Sequence, residues 1–169
     1  MRLITRAALI AAASIPLSIA TPALASAAGA DQVTFAYEVS GSAVTNTITN
    51  NSGTALMCGT SLAQGPGAVL PPVEDVLRAG QTLYANGEVQ PGTATQTVTD
   101  IPDGSYVVLA SCSPVADPMT MWVSDYPGIA DYLAGIPAIT AFTVDQESTV
   151  VTVPHVEPAR PDLGELFGS

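Results

Sequence analysis

Few residues in this chain could act as a nucleophile's base or as a zinc ligand. His155 is the only histidine, it lies between Pro154 and Pro158, and the chain contains no lysine. Nucleophilic catalysis needs a base held in register with the nucleophile, and zinc needs several nitrogen or sulfur ligands at close spacing. We therefore expect no catalytic residues of this kind and no zinc site.

The other side chains in this sequence that could catalyse a reaction or bind a metal are carboxylates. Two carboxyl groups held at a set separation across a cleft can hydrolyse a glycosidic bond, and carboxylate oxygens in loops also suit calcium. Asp100 and Asp103 flank one predicted turn, which makes them a calcium hypothesis, although the chain has no Asp-x-Asp-x-Asp-Gly loop. No other cofactor is expected. The aspartates in predicted turns or loops are Asp100, Asp103, Asp117, Asp125 and Asp131.

Residues 119–133 concentrate the side chains that often anchor protein interfaces. They contain the only tryptophan, two of the five tyrosines and two of the four methionines. Aromatic residues and methionine are enriched at the centres of interfaces. Met121, Trp122, Tyr126 and Tyr132 are therefore candidate interface residues. The alternative is that this stretch packs a short helix over an open end of the core.

The N-terminus has the organisation of a secretory signal. Two arginines precede the mostly apolar residues 7–20, and the small residues 23–25 offer a cleavage site. We predict a Sec-type signal peptide at 1–25 and a flexible N-terminus at 26–32. No later stretch has the unbroken apolar length that crosses a bilayer. The mature protein is therefore expected outside the cell or in the cell envelope.

The expected location outside the cytoplasm also indicates the state of the two cysteines. Cys58 and Cys112 are the only cysteines, and two cysteines in an exported chain are most simply joined as a disulfide. Closing a loop of roughly 55 residues stabilises a fold by about 4 kcal/mol in the chain-entropy model. Two free thiols would require a reducing compartment, which the signal argues against.

The charge of the mature chain is strongly negative. All 15 acidic residues lie at or beyond Asp31, whereas only Arg78 and Arg160 remain after cleavage, which gives a formal charge of −13. Such a surface repels phosphate backbones and anionic lipids, so nucleic acid is excluded as a partner. The charge is explained by solubility, or by attraction to cations and basic partners.

The stretch 100–113 organises the predicted fold. A Pro-Asp-Gly turn at 102–104 precedes a run with little polar surface on either face, which is typical of a strand inside a sheet. One face of this run carries Tyr106, Val108, Ala110 and Cys112, and the other carries Val107, Leu109 and Ser111.

Short strands separated by turn signals make up the remaining chain from 33 to 153. A Pro- and acid-rich tail is predicted at 154–169. Helical turns are predicted at 72–78 and from about 125 to 134. The other predicted strands are 33–39, 43–49, 54–62, a hairpin at 81–90 around Asn86-Gly87, 93–99, 119–124, and a final hairpin formed by 139–144 and 148–153.

The cysteine spacing resembles that of a secreted bacterial immunoglobulin-like domain. Cys58 and Cys112 are separated as in such domains, and Asp103-Gly104-Ser105-Tyr106 opens the strand that holds the second cysteine. The resemblance covers about residues 33–153. It implies an all-β, antiparallel immunoglobulin-like sandwich with one or two short helical turns and one disulfide, and it implies no activity.

Two features depart from the antibody pattern. Tyr106 lies six residues before Cys112 instead of two, which is not the spacing of a tyrosine corner. Trp122 follows the second cysteine, so it cannot be the tryptophan of the strand after the first cysteine.

These observations predict a non-catalytic secreted module with a binding or structural role in the cell envelope or outside the cell. Its partner is expected to be a protein or an envelope component. The alternatives are a small carboxylate-dependent secreted hydrolase, which needs two acids in one cleft, and a small-molecule carrier, which needs an apolar cavity between the sheets.

Overall fold

The computed structural model describes residues 29–78, 81–148 and 150–154; the predicted signal peptide and the tail beyond Pro154 lie outside them. Within these residues the chain forms two β-sheets and two short helices, which confirms the predicted all-β fold with few helical turns. The helices are α1 (Val73–Arg78) and α2 (Ile129–Ala134). The strands are β1 (Val33–Ser40), β2 (Ala43–Asn50), β3 (Leu56–Gln64), β4 (Leu83–Val89), β5 (Gly92–Val98), β6 (Gly104–Pro114), β7 (Thr120–Asp125), β8 (Thr140–Glu147) and β9 (Val150–Val153).

The strand predicted to lie inside a sheet does so. β6 pairs with β3 along one edge, and with β7 and β9 along the other. Val107 and Val108, which point to opposite faces of the sheet, are both completely buried. Burial on both faces explains why this strand is apolar throughout instead of alternating.

The molecule has three layers. The small sheet has the order β1-β2-β5, and the large sheet has the order β4-β3-β6-β7-β8 with β9 also paired to β6. Apolar side chains of the two sheets, among them Phe35, Ile48, Leu56 and Trp122, pack together between them. The helices cover part of the outer face of the large sheet, where Val76 and Ile129 pack on Val107 and its neighbours.

A chain of polar side chains also links the two sheets. Asn46 Nδ2 donates to Thr60 Oγ1 at 2.8 Å, and Thr60 Oγ1 donates to Gln96 Oε1 at 2.9 Å. Gln96 Nε2 in turn donates to the carbonyl of Cys58 at 2.9 Å. All three polar side chains are buried, so each bond offsets the loss of water from the groups that it joins.

The predicted disulfide between Cys58 and Cys112 is confirmed. The two residues lie directly opposite each other on β3 and β6, with 4.0 Å between their Cα atoms. The bond therefore joins neighbouring strands of the large sheet. In antibody domains the corresponding disulfide connects the two sheets, so the covalent link here has a different position.

The hairpin predicted around Asn86-Gly87 is wrong. β4 runs without interruption through both residues, because Asn86 pairs with Gly59 and Gly87 with Cys58 in an unbroken register. The chain turns instead after β4, where Gly92 has a φ of 117° that favours glycine.

The predicted final hairpin is also wrong. β8 pairs with β7 in parallel, with α2 in the connection between them, whereas β9 pairs with β6. β7 and β9 therefore occupy successive parts of the same edge of β6. The parallel β7–β8 pair is an exception to the antiparallel arrangement expected from the sequence.

Residues 29–32 are the described part of the segment predicted to be a flexible N-terminus. They instead bond to the sandwich: Gly29 O accepts a hydrogen bond of 2.8 Å from Trp122 Nε1, and Gln32 O accepts one of 2.7 Å from Asn51 N. Among the described residues, neither helix has the length or apolar character to span a bilayer.

Candidate functional site

Trp122 is a core residue, so its prediction as an interface residue is wrong. Its side chain is 2% exposed and stacks on Phe142 with ring centroids 5.8 Å apart. The indole N–H, which is costly to bury without a partner, donates to Gly29 O. β7 directs this side chain between the sheets, because residues of a strand alternate between the two faces.

Tyr126 is also buried, and the structure corrects the interface prediction here too. The side chain is 2% exposed and packs under the helices with Val73 and Ile129. Its hydroxyl donates to the carbonyl of Pro71. Trp122 and Tyr126 therefore belong to the core, but α2 covers the outer face of the large sheet and not an open end of the core as the alternative predicted.

Met121 and Tyr132 remain at the surface, on the helix-covered side of the large sheet. Met121 is half-buried and packs against the apolar side chains that lie under the helices, and Tyr132 on α2 is 40% exposed. Between the two helices lies an open crevice of about 150 Å³, which we call the helix-side crevice. Ser61, Leu109 and Ser111 form its floor, and Leu77, Met121, Ile129 and Leu133 are among the residues of its walls.

The local sequence explains why the crevice stays open. Ser61 on β3 and Ser111 on β6 point to the outer face, and their side chains are too small to fill the space beside the helices. In α1 the side chains of Val73 and Val76 are buried, whereas Leu77 is 37% exposed and borders the crevice. An apolar residue so placed can contact a partner without first leaving the core.

The start of α2 lies close to the start of α1. Gly128 precedes α2 with a φ of 84°, a left-handed conformation that favours glycine. A Cβ at this position would lie 3.5 Å from Val73 Cγ1 on α1. The absence of a side chain at Gly128 therefore lets the chain that precedes α2 approach the start of α1.

Further apolar side chains lie on the same outer face. Met57 on β3 is 50% exposed and Tyr84 on β4 is 59% exposed. Their register places them on the face that carries Ser61, because Tyr84 pairs with Ser61 and Met57 lies four residues before it. The alternation of residues along β3 and β4 could have placed Met57 and Tyr84 on this face. The incorrect prediction of a hairpin at Asn86-Gly87 prevented that inference.

The charged residues of the two helices that border the crevice are mostly acidic. Glu74 on α1 and Asp131 on α2 are exposed. Arg78 is the only basic residue between 29 and 154. Sequence reasoning did not connect these acids with Met121 and Tyr132, because the connection depends on how the helices pack on the sheet.

Asp100 and Asp103, the possible calcium ligands of the sequence analysis, both lie in the exposed connection between β5 and β6. Asp100 has a φ of 56°, and its Oδ2 accepts a hydrogen bond of 3.1 Å from Thr99 Oγ1. In the part of the chain that the structure describes, no three His, Cys, Asp or Glu side chains come together in a way that could hold a metal ion. Calcium binding at this turn stays a prediction.

Two other pockets bear on the alternative functions. An open pocket of about 580 Å³ lies where β3 ends and α1 and β4 begin, and Leu62, Val76, Leu83 and Tyr106 line it together with polar residues. A second pocket, of about 490 Å³, has both Asp31 and Asp125 in its wall.

Comparison with known proteins gives no relative from which a function could be transferred: no protein-family model, curated protein or solved structure matches this chain.

Proposed function

We propose that this chain is a secreted, non-catalytic β-sandwich module of the cell envelope or extracellular space, which binds a protein or envelope partner through the helix-side crevice. The observation that carries the proposal is the crevice itself, an open apolar recess with Leu77 and Met121 in its walls. Exposed apolar surface around a concave site is typical of interaction sites.

Export is supported by four observations. The N-terminal sequence has the organisation of a signal peptide, and Cys58 and Cys112 form a disulfide, as is common in oxidising compartments. The resemblance to secreted bacterial immunoglobulin-like domains supports the same location, and the formal charge of −13 after cleavage favours solubility outside the cell.

The proposal is tested by closing the crevice. Ser61→Leu places an isobutyl group on the crevice floor, whereas Thr47→Leu makes the same kind of change at a half-buried position on the outer face of the small sheet. Tagged exported protein is incubated with envelope extract, and the retained partner is quantified by mass spectrometry. We expect the wild type and Thr47→Leu to retain the same partner, and Ser61→Leu to lose it. Equal retention by all three would contradict the proposal.

A small-molecule carrier is the second candidate, favoured by the open pocket of about 580 Å³. Its volume falls within the range of ligand sites, and its lining is mainly apolar with a few polar groups such as Gln81. Native mass spectrometry of the exported protein would show a bound compound of constant mass, which Leu83→Trp would displace. An unliganded mass under conditions that preserve complexes would remove this candidate.

A carboxylate-dependent hydrolase is favoured only by Asp31 and Asp125 sharing one pocket. Hydrolysis of a glycan panel that is abolished by Asp31→Asn and by Asp125→Asn would support it. Turnover that survives both substitutions would assign the activity to a contaminant.

A further inference from the structure

The dimensions of the helix-side crevice limit what it can hold. Its volume is about 150 Å³, and apolar side chains including Leu109, Ile129 and Leu133 line it. In another protein, a cavity of about 150 Å³ lined by leucine, isoleucine and phenylalanine binds benzene. The crevice therefore accommodates one branched aliphatic or aromatic side chain, not a whole helix or a folded domain.

The charge around the crevice restricts the residues that flank this side chain. Residues 29–154 contain 12 acidic residues and one basic residue, Arg78. Glu74 on α1 and Asp131 on α2 lie exposed on the two short helices that border the crevice. A surface of one sign attracts partners of the opposite sign and repels partners of its own.

Two occupants from the protein itself are disfavoured by the same charge. A second copy would bring its own acidic residues against those of the first. The segment 155–169 contains the apolar residues Leu163, Leu166 and Phe167, but it also has three acidic residues and one arginine. Both would place acidic groups next to Glu74 and Asp131, which costs binding energy.

We propose that the helix-side crevice binds a partner segment that presents one apolar side chain flanked by lysine or arginine residues. The inference rests on the proposed function and adds the chemistry of the partner. The apolar side chain enters between Leu77 and Leu133 and is removed from water there, while the basic flanks lie against the acidic residues of α1 and α2.

Three fluorescent peptides test the proposal with the full exported chain. One has a central leucine flanked by lysines, the second replaces the leucine by serine, and the third replaces the lysines by glutamates. We expect the first to bind at least about tenfold more tightly than either of the others, because burial of a leucine side chain is worth about one factor of ten or more. Its affinity should fall when salt rises from about 50 to about 500 mM.

Variants assign that binding to the crevice. Ser61→Leu should abolish binding of the lysine-flanked leucine peptide, and Thr47→Leu should leave it unchanged. Glu74→Gln combined with Asp131→Asn should weaken it several-fold and reduce its salt dependence. Circular dichroism and the intact disulfide provide the check that each variant is folded.

Several outcomes would overturn the proposal. Equal affinity for the leucine and serine peptides would show attraction by charge alone. Tighter binding of a synthetic 155–169 peptide than of the lysine-flanked peptide would assign the crevice to the chain's own C-terminal segment. A concentration-dependent dimer that Ser61→Leu dissociates would assign it to a second copy.

Failure of the inference is distinguishable from failure of the proposed function. If Ser61→Leu still loses its partner from envelope extract while the lysine-flanked peptide does not bind, the crevice binds a partner of different chemistry. If the extract experiment shows no dependence on Ser61 and the peptides do not bind, both proposals are wrong.

Discussion

Asn46 Nδ2 donates a 2.8 Å hydrogen bond to Thr60 Oγ1 and thereby joins the small sheet to the large one inside the core. Because Thr60 Oγ1 also donates to Gln96 Oε1, one hydroxyl on β3 connects to two strands of the small sheet. The disulfide acts only within the large sheet. The stacking of the two sheets therefore depends on apolar packing, on this polar chain, and on a buried bond of 3.1 Å that Asn50 Nδ2 of β2 donates to Val89 O of β4.

Replacing Thr60 by valine should destabilise the protein by about 3 kcal/mol. The substitution keeps the shape of the side chain but leaves Asn46 Nδ2 and Gln96 Oε1 buried without their partner, and each such group costs about 1–3 kcal/mol. Urea unfolding followed by circular dichroism measures the change. Thr47→Val, on the outer face of β2, is the control and should stay within about 0.5 kcal/mol of the wild type. A similar small effect at Thr60 would show that the polar chain does not stabilise the fold.

Loss of the disulfide should cost about 4 kcal/mol. Cys58 and Cys112 are 54 residues apart, and a loop of this length restricts the unfolded chain by that amount in the chain-entropy model. The Cys58→Ala/Cys112→Ala double variant, compared with the oxidised wild type in urea, gives the value. A loss below about 1 kcal/mol would mean that cross-linking two strands already paired in one sheet adds little.

Trp122→Ala should destabilise the protein by about 4 kcal/mol, since truncation of a buried tryptophan leaves a cavity and removes the bond to Gly29 O. Tyr132→Ala, at an exposed position on α2, should change the free energy of unfolding by less than about 1 kcal/mol. Comparable small losses at both positions would return Trp122 to the candidate interface residues.

Ionisation of the Tyr37 hydroxyl should make the protein less stable at alkaline pH. Burial raises the pKa of its hydroxyl from 10.0 to about 12, so the folded state retains a proton that the unfolded state releases between these values. The stabilisation is complete below pH 10 and is lost as pH rises towards and beyond 12. Unfolding free energies measured at pH 9 and pH 11 should differ more in the wild type than in Tyr37→Phe. Equal pH dependence in the two proteins would contradict the burial of this hydroxyl.

The central strand and the disulfide could be predicted from the sequence, because each depends on a local or a unique signal. β6 is apolar on both faces, which is typical of an interior strand, and two cysteines allow a single pairing. The helical turn at α1 was predicted correctly for a similar reason, since Pro72 precedes it and Val73 and Val76 share one side.

The edges of the large sheet could not be predicted, because strand pairing is decided by tertiary contacts. Asn86-Gly87 favours a tight turn locally, but continuous pairing of β4 with β3 prevails. Likewise, Ser148 N bonds to Asp125 O at the point where the chain leaves β8, and β9 then pairs with β6 instead of returning along β8.

The candidate site could be predicted only in part. The sequence correctly drew attention to the stretch 119–133, but composition does not show which face of a strand is covered. Trp122 points between the sheets and Met121 points to the outer face, although they are adjacent. Leu77 and Ser61 belong to the crevice through packing of α1 on β3, for which the sequence contains no local signal.

Methyl-group NMR of the protein during titration with the lysine-flanked leucine peptide tests the central claim most directly. We predict that shift changes saturate and are confined to Leu77, Met121, Ile129 and Leu133 in the crevice, and that they are absent in Ser61→Leu. Shift changes that fall elsewhere on the sandwich, or that persist unchanged in Ser61→Leu, would contradict binding at this site.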